Sequence, residues 1–158
     1  MSEAWSVSWS RRQGLGGLLA CVGWAAAPAR AQAPPANLDW AQLYGPFTGG
    51  INPTPERVGV VTPRLADNGL SVPLSVRVDS PMSERDHVRR VVLLSNRNPR
   101  PVIAEFELGP WSAKAEVATR VRLNGSQEVM ALVQTSDGRW WRGTAEVEVT
   151  ESACMDAS

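Results

Sequence analysis

The sequence predicts an all-β domain, an immunoglobulin-like antiparallel β-sandwich of about seven strands. Three observations carry that expectation. Apolar and polar residues alternate with a period of two in several short runs. Residues 139–150 show it best, with Trp141, Gly143, Ala145, Val147 and Val149 set against Arg142, Thr144, Glu146, Glu148 and Thr150. Turn-forming pairs separate the runs, notably Asn124-Gly125 and Asp137-Gly138, which favour tight hairpins. No repeat, heptad or long amphipathic helix competes with this pattern, and short strands with turns every ten to fifteen residues or so describe a sandwich.

The chain opens on a different kind of segment. Ser10-Arg11-Arg12-Gln13-Gly14-Leu15 sets an arginine pair at the lip of an apolar, glycine-rich run over residues 15–27. That run is too short for a permanent anchor and ends in Ala29-Arg30-Ala31, a small-x-small cleavage pattern. Residues 1–31 are therefore expected to be a twin-arginine (Tat-type) signal cut after Ala31, which delivers the mature chain to the periplasm. Cleavage after Ala33 would put Pro34 directly behind the cut and is disfavoured. Leu18-Leu19-Ala20-Cys21 resembles a lipoprotein signal, with Cys21 as a lipidated N-terminus in that reading. The apolar run continues past Cys21, which favours the soluble product.

Removing the leader takes away Arg11, Arg12, Arg30 and Glu3 and leaves a slight acidic excess on a chain of one-domain size. That balance argues against nucleic acid or an anionic membrane surface as partner. Cys154 is then the only cysteine left. In an oxidising compartment an odd cysteine is either a free reactive thiol or one that pairs with another molecule.

Residues 32–56 read as a lead. Residues 32–36 are proline-rich, residues 37–45 suit one short helix with Asn37 as N-cap and Gly45 closing it, and residues 47–55 read as loop. The sandwich is expected over residues 57–150. Its first strands fall at residues 57–62 and 71–79, with Val72, Leu74, Val76 and Val78 on one face and a turn at Asp67-Asn68-Gly69 between them. Residues 87–95 hold Val91-Val92-Leu93-Leu94, a continuous apolar run suited to a strand covered on both faces. Pro99 and Pro101 mark a turn, since neither fits a central strand. Val102, Ala104, Phe106 and Leu108 then define one inward face, and Ala115, Val117, Thr119, Val121 and Leu123 the next. Residues 128–135 and 139–150 complete the set. The polar tail, residues 151–158, packs like neither strand nor helix and is expected to be a flexible arm with Cys154 at its centre.

A survey for catalytic groups finds little. The one histidine, His87, sits in a charged run with no Cys or His at ligand spacing, so a solvated loop residue is the better reading. Carboxylates are scattered along strand faces. Trp140-Trp141 is expected to be half core and half surface, the outward ring being suited to a protein interface. Arg89-Arg90 and Arg120/Arg122 read as solvated strand faces. By elimination Cys154 is the reactive group, and no catalytic or metal-binding residue is assigned.

Several segments carry a family resemblance. Leu65-Ala66-Asp67-Asn68-Gly69, Val72-Pro73-Leu74 and Asp79-Ser80-Pro81-Met82 resemble SoxY, the sulfur-carrier subunit of the bacterial thiosulfate-oxidising (Sox) system. So do Asn98-Pro99-Arg100-Pro101-Val102-Ile103-Ala104-Glu105-Phe106, Thr119-Arg120-Val121-Arg122-Leu123 and Ser136-Asp137-Gly138. The resemblance implies a periplasmic protein that is not an enzyme and pairs with a second β-sandwich subunit, SoxZ. It also implies that sulfur intermediates are carried as covalent adducts on one cysteine of a C-terminal arm, here Cys154, and presented to separate Sox enzymes. No cofactor is implied beyond that adduct. An alternative within the family is a paralogue that binds partners through its sandwich without carrying sulfur. The departure lies at the arm. The family pattern is Gly-Gly-Cys-Gly-Gly, whereas Cys154 stands in Ser152-Ala153-Cys154-Met155-Asp156-Ala157-Ser158. Met155 is bulkier than the glycine it replaces, and Glu151 and Asp156 bring negative charge that disfavours the thiolate.

Overall fold

The computed structural model describes residues 37–151. The expected signal over residues 1–31, the lead over residues 32–36 and Cys154 lie outside them. Eight strands form two sheets that close on one core, together with a single short helix. The all-β sandwich is thus borne out.

The helix comes first. α1 spans Trp40–Thr48, and its inward side chains Trp40, Leu43, Tyr44 and Phe47 recur at helical spacing. Its caps differ from the expected ones. Asp39, not Asn37, is the N-cap, its side chain accepting from Ala41 N–H at 3.4 Å. Gly49 in the left-handed conformation (φ 66°) ends the helix, while Gly45 and Pro46 lie inside it. Packing explains the override. Tyr44 and Phe47 seat on the sheet beneath, and that contact outweighs the hydrogen bond Pro46 forfeits.

The small sheet has the order β1-β3-β6, with β1 at Val58–Val61, β3 at Val72–Val78 and β6 at Glu116–Val121, all antiparallel. The large sheet has the order β2-β8-β7-β4-β5, with β2 at Leu65–Asn68. In it β4 spans Val88–Ser95, β5 Val102–Glu107, β7 Gln127–Thr135 and β8 Trp140–Glu151. The inward residues of both sheets, among them Val72, Leu74, Val91, Leu93, Val121, Val129 and Val147, form the main core, joined by Leu123 just past β6.

A second, smaller core lies on the outer face of the large sheet. There α1 covers Val92, Leu94, Met130, Leu132 and Trp140. It accounts for the unbroken apolar run of β4, with Val91 and Leu93 facing inward and Val92 and Leu94 lying under the helix. It also corrects the expectation for Trp140-Trp141. Both rings are buried, Trp141 in the main core and Trp140 beneath α1.

One strand was not expected. β2, Leu65–Asn68, pairs in parallel with the end of β8, Leu65 opposite Glu148 and Asn68 opposite Glu151. Its residues are largely exposed and do not alternate, so periodicity carries no sign of it. The turn expected at Asp67-Asn68-Gly69 begins one step later, where Asn68 Oδ1 accepts from Leu70 N–H at 3.1 Å.

Candidate functional site

The candidate site is the end of β8, because the chain passes from there to Cys154. Val147 and Val149 face the core and are buried, while Glu146, Glu148 and Thr150 face out. The expected alternation therefore holds, and the strand runs on through Glu151.

Both edges of this segment are fastened. On one side Val149 N–H donates to Ser126 Oγ at 2.9 Å, and Ser126 Oγ donates to Val149 C=O at 3.3 Å. One hydroxyl thus does what a paired strand residue would do, at the point where β7 begins. Ser126 is itself held by its turn. Asn98 Oδ1 accepts from Asn124 N–H (2.8 Å) and Gln127 Nε2 (3.1 Å), and Asn98 Nδ2 donates to Arg122 C=O (2.7 Å). On the other side β2 supplies the ladder. Gly69 N–H donates to Glu151 C=O at 2.7 Å, Thr150 Oγ1 bonds Asp67 C=O, and Leu123 N–H in turn holds Gly69 C=O at 2.8 Å. Leu65 and Leu70 leave apolar surface exposed beside this anchor.

The other end of β8 is held by a different set of contacts. The guanidinium groups of Arg57 and Arg139 lie over the Trp141 ring, 5.1 and 5.3 Å from its centroid. Its Nε1 donates to Thr135 Oγ1 at 3.1 Å, and Thr135 Oγ1 donates to Asp137 Oδ1 at 2.6 Å. That hydroxyl, the backbone N–H of Arg139 and the Arg139 guanidinium pull the Asp137 carboxyl down to a pKa of about 2. Arg57 takes a left-handed backbone (φ 63°) and donates through Nε to Asp79 C=O at 2.8 Å. At Gly143 the two sheets come so close that an added Cβ would collide with Val58 C=O.

The remaining sequence candidates scatter. His87 lies at the β4 entry with Nδ1 3.0 Å from Ser83 C=O. Among the described residues no three of His, Cys, Asp and Glu gather as a set of metal ligands, and no helix is long and apolar enough to cross a membrane. Of the arginines read as solvated, Arg89, Arg120 and Arg122 are exposed, whereas Arg90 pairs with Glu105 and lies over Phe47. Among the described residues the exposed tryptophan is Trp111, at 82% exposure, beside the edge strand β5. It follows Gly109-Pro110 in a turn with no periodic pattern, so the sequence offers no signal for it beyond its aromatic type.

The family model described as "Sulfur oxidation protein SoxY" matches residues 46–154. The chain belongs to the SoxY family. Its fold is similar to that of the sulfur carrier protein SoxY from Chlorobium limicola f thiosulfatophilum, with a TM-score of 0.58 and 23% identity over 69% of this chain and 90% of that one. The superoxide reductase (neelaredoxin) from Ignicoccus hospitalis shares the fold at a TM-score of 0.53 and 17% identity, covering 60% of this chain and 80% of its own. A putative superoxide reductase from Thermotoga maritima does so at 0.52 and 19%, covering 61% and 89%. No curated protein matches the chain.

Proposed function

We propose that this SoxY-family chain is a periplasmic sulfur carrier that holds sulfur-oxidation intermediates covalently on Cys154 and presents them to Sox enzymes. The observation that carries the reading is a conjunction. The family match runs as far as Cys154, and the strand leading to that residue is fastened on both edges up to Glu151. Cys154 lies three positions beyond Glu151, and an extended chain covers at most ~3.6 Å per residue, so the Cys154 Cα stays within about 11 Å of Glu151. An enzyme that takes the cargo must therefore come close to this end of the sandwich. The partner proposed for the folded domain is a SoxZ-like β-sandwich subunit, with exposed Trp111 beside β5 as a surface suited to such a contact.

The chemistry asks only for a thiolate. Attack of Cys154 on a sulfane donor transfers one sulfur atom to give a persulfide, and the donor's remaining fragment departs with the electron pair of the broken S–S bond. The test is intact-mass analysis after exposure to such a donor, with reductant reversal, on the wild-type chain and Cys154→Ser. Carriage predicts a reversible one-sulfur increment in wild type only. A Cys154→Ser variant that supports sulfur oxidation normally would establish the scaffold role instead, which the non-glycine surroundings of Cys154 favour.

A further inference from the structure

β8 pairs with β7 along most of its length, but among the described residues its far edge is occupied only at the two ends. At the start, Thr54 N–H donates to Trp140 C=O (3.0 Å) and Arg142 N–H to Thr54 C=O (2.9 Å). Towards the end, Glu148 N–H donates to Arg64 C=O (2.8 Å), where β2 begins. These contacts show that from Trp140 to Glu148 the even-numbered residues of β8 turn their backbone groups away from β7. The alternation of an antiparallel ladder then turns the N–H and C=O of Thr144 and Glu146 the same way. Among the described residues no strand pairs with this edge between Arg142 and Glu148. Four backbone groups are left facing outward in a gap between two paired stretches.

The side chains at the gap form an acceptor surface. Glu128 and Glu146 stand directly opposite each other across β7 and β8, an arrangement that repels. Glu128 accepts from Trp40 Nε1 at 2.8 Å, but among the described residues neither Glu146 nor Glu148 has an ion-pair partner. All three line a cleft of about 530 Å³, and Arg64 lies on the same lining without pairing to any of them. Asn96 lines that cleft too. It is only 7% exposed, and its Oδ1 has no hydrogen-bond partner. The free edges of β5 and β6 differ, because Glu105 and Glu116 there are matched by Arg90 and Arg77, leaving Glu107 on β5 without an ion pair among the described residues rather than a group of three carboxylates.

We propose that residues 143–147 receive an extended basic peptide segment of another protein. It adds to β8 as a short strand and sets a lysine or arginine against Glu128, Glu146 and Glu148. Main-chain hydrogen bonds to Thr144 and Glu146 supply the register, and the carboxylates select the cation. The site does not involve Cys154 and stands whether or not sulfur is carried.

The test is residue-resolved amide exchange on the full chain with a peptide of about five residues alternating valine and lysine. Two controls accompany it: alternating valine and glutamate, and the lysine peptide with its backbone N-methylated. The lysine peptide is expected to slow exchange at the Thr144 and Glu146 amides by at least about tenfold, while neither control does so. Combining Glu146→Lys with Glu148→Lys should weaken peptide binding by about tenfold or more and leave the thermal midpoint nearly unchanged, since both side chains face solvent. Unchanged exchange at these two amides in saturating lysine peptide would overturn the proposal. So would equal protection by the glutamate peptide, or protection that falls on β5 or β6 instead.

Discussion

The two ends of β8 are built on different principles. At its start, Trp140 and Trp141 bury their rings on opposite faces, one under α1 and one in the main core, and two arginines lie over the second ring. At its finish the strand buries only Val147 and Val149 and is otherwise held by polar contacts from Ser126 and the short strand β2. Burial makes the first end expensive to open, while hydrogen bonds fix the direction of the second. The difference suits a strand rooted in the core and aimed at a partner.

Mutations should separate the two ends. The largest effect is expected from Trp141→Ala, which empties a core site and strips two cation–π contacts, at a cost of about 3–5 kcal/mol. Denaturant titration would show it as a lower midpoint with an unchanged slope. Gly143→Ala comes next, at about 2–3 kcal/mol, because the added methyl meets the Val58 carbonyl and the sheets must separate. Comparable stability to wild type would show that β1 yields there without cost. At the finish, Ser126→Ala should cost only about 1 kcal/mol globally. Its signature is local, namely faster amide exchange at Val149 with the Trp141 end unaffected.

A smaller effect belongs to pH. The Asp137 carboxyl titrates near 2 when folded, below its ordinary 3.8, so its stabilising contribution is complete above about pH 4 and disappears as pH falls toward 2. Asp137→Asn should flatten the stability profile in that acid window and change little at neutral pH, which unfolding curves across pH would check. Smallest of all for stability is Trp111→Ala, expected to stay within about 0.5 kcal/mol because the ring is solvent-exposed. Its effect should appear instead as weaker capture of a β-sandwich partner in a binding titration.

The contrast between the ends also marks what the sequence made legible. The alternation of Val147 and Val149 with Glu148 and Thr150 is local, and it placed the finish of β8 to within one residue: Glu151, expected in the arm, is strand because β2 pairs with it. The burial of Trp140 was not legible, because it depends on α1 reaching across the sheet. The stripe Trp40, Leu43, Tyr44, Phe47 was present, but Gly45-Pro46 spoke for a stop, and only the docked helix shows why it continues. β2 was hidden for a related reason. Asp67 and Asn68 carry turn propensity, and a four-residue strand recruited to a free edge draws its order from β8 rather than from its own pattern. The candidate site divides along the same line. Cys154 stood out by elimination, whereas the contacts that hold Glu151 join residues far apart in the chain.

The parallel pairing of β2 with β8 has a mechanical consequence. A strand at the tip of a hairpin yields to tension by peeling, one hydrogen bond at a time. β8 pairs with β7 over Trp140–Val147 and with β2 over Glu148–Glu151, so tension applied beyond Glu151 along the strand direction loads both ladders in shear. Bonds loaded in shear share the force and give way together. A pull applied past Glu151 along that axis would therefore meet a stiff mount in the sandwich.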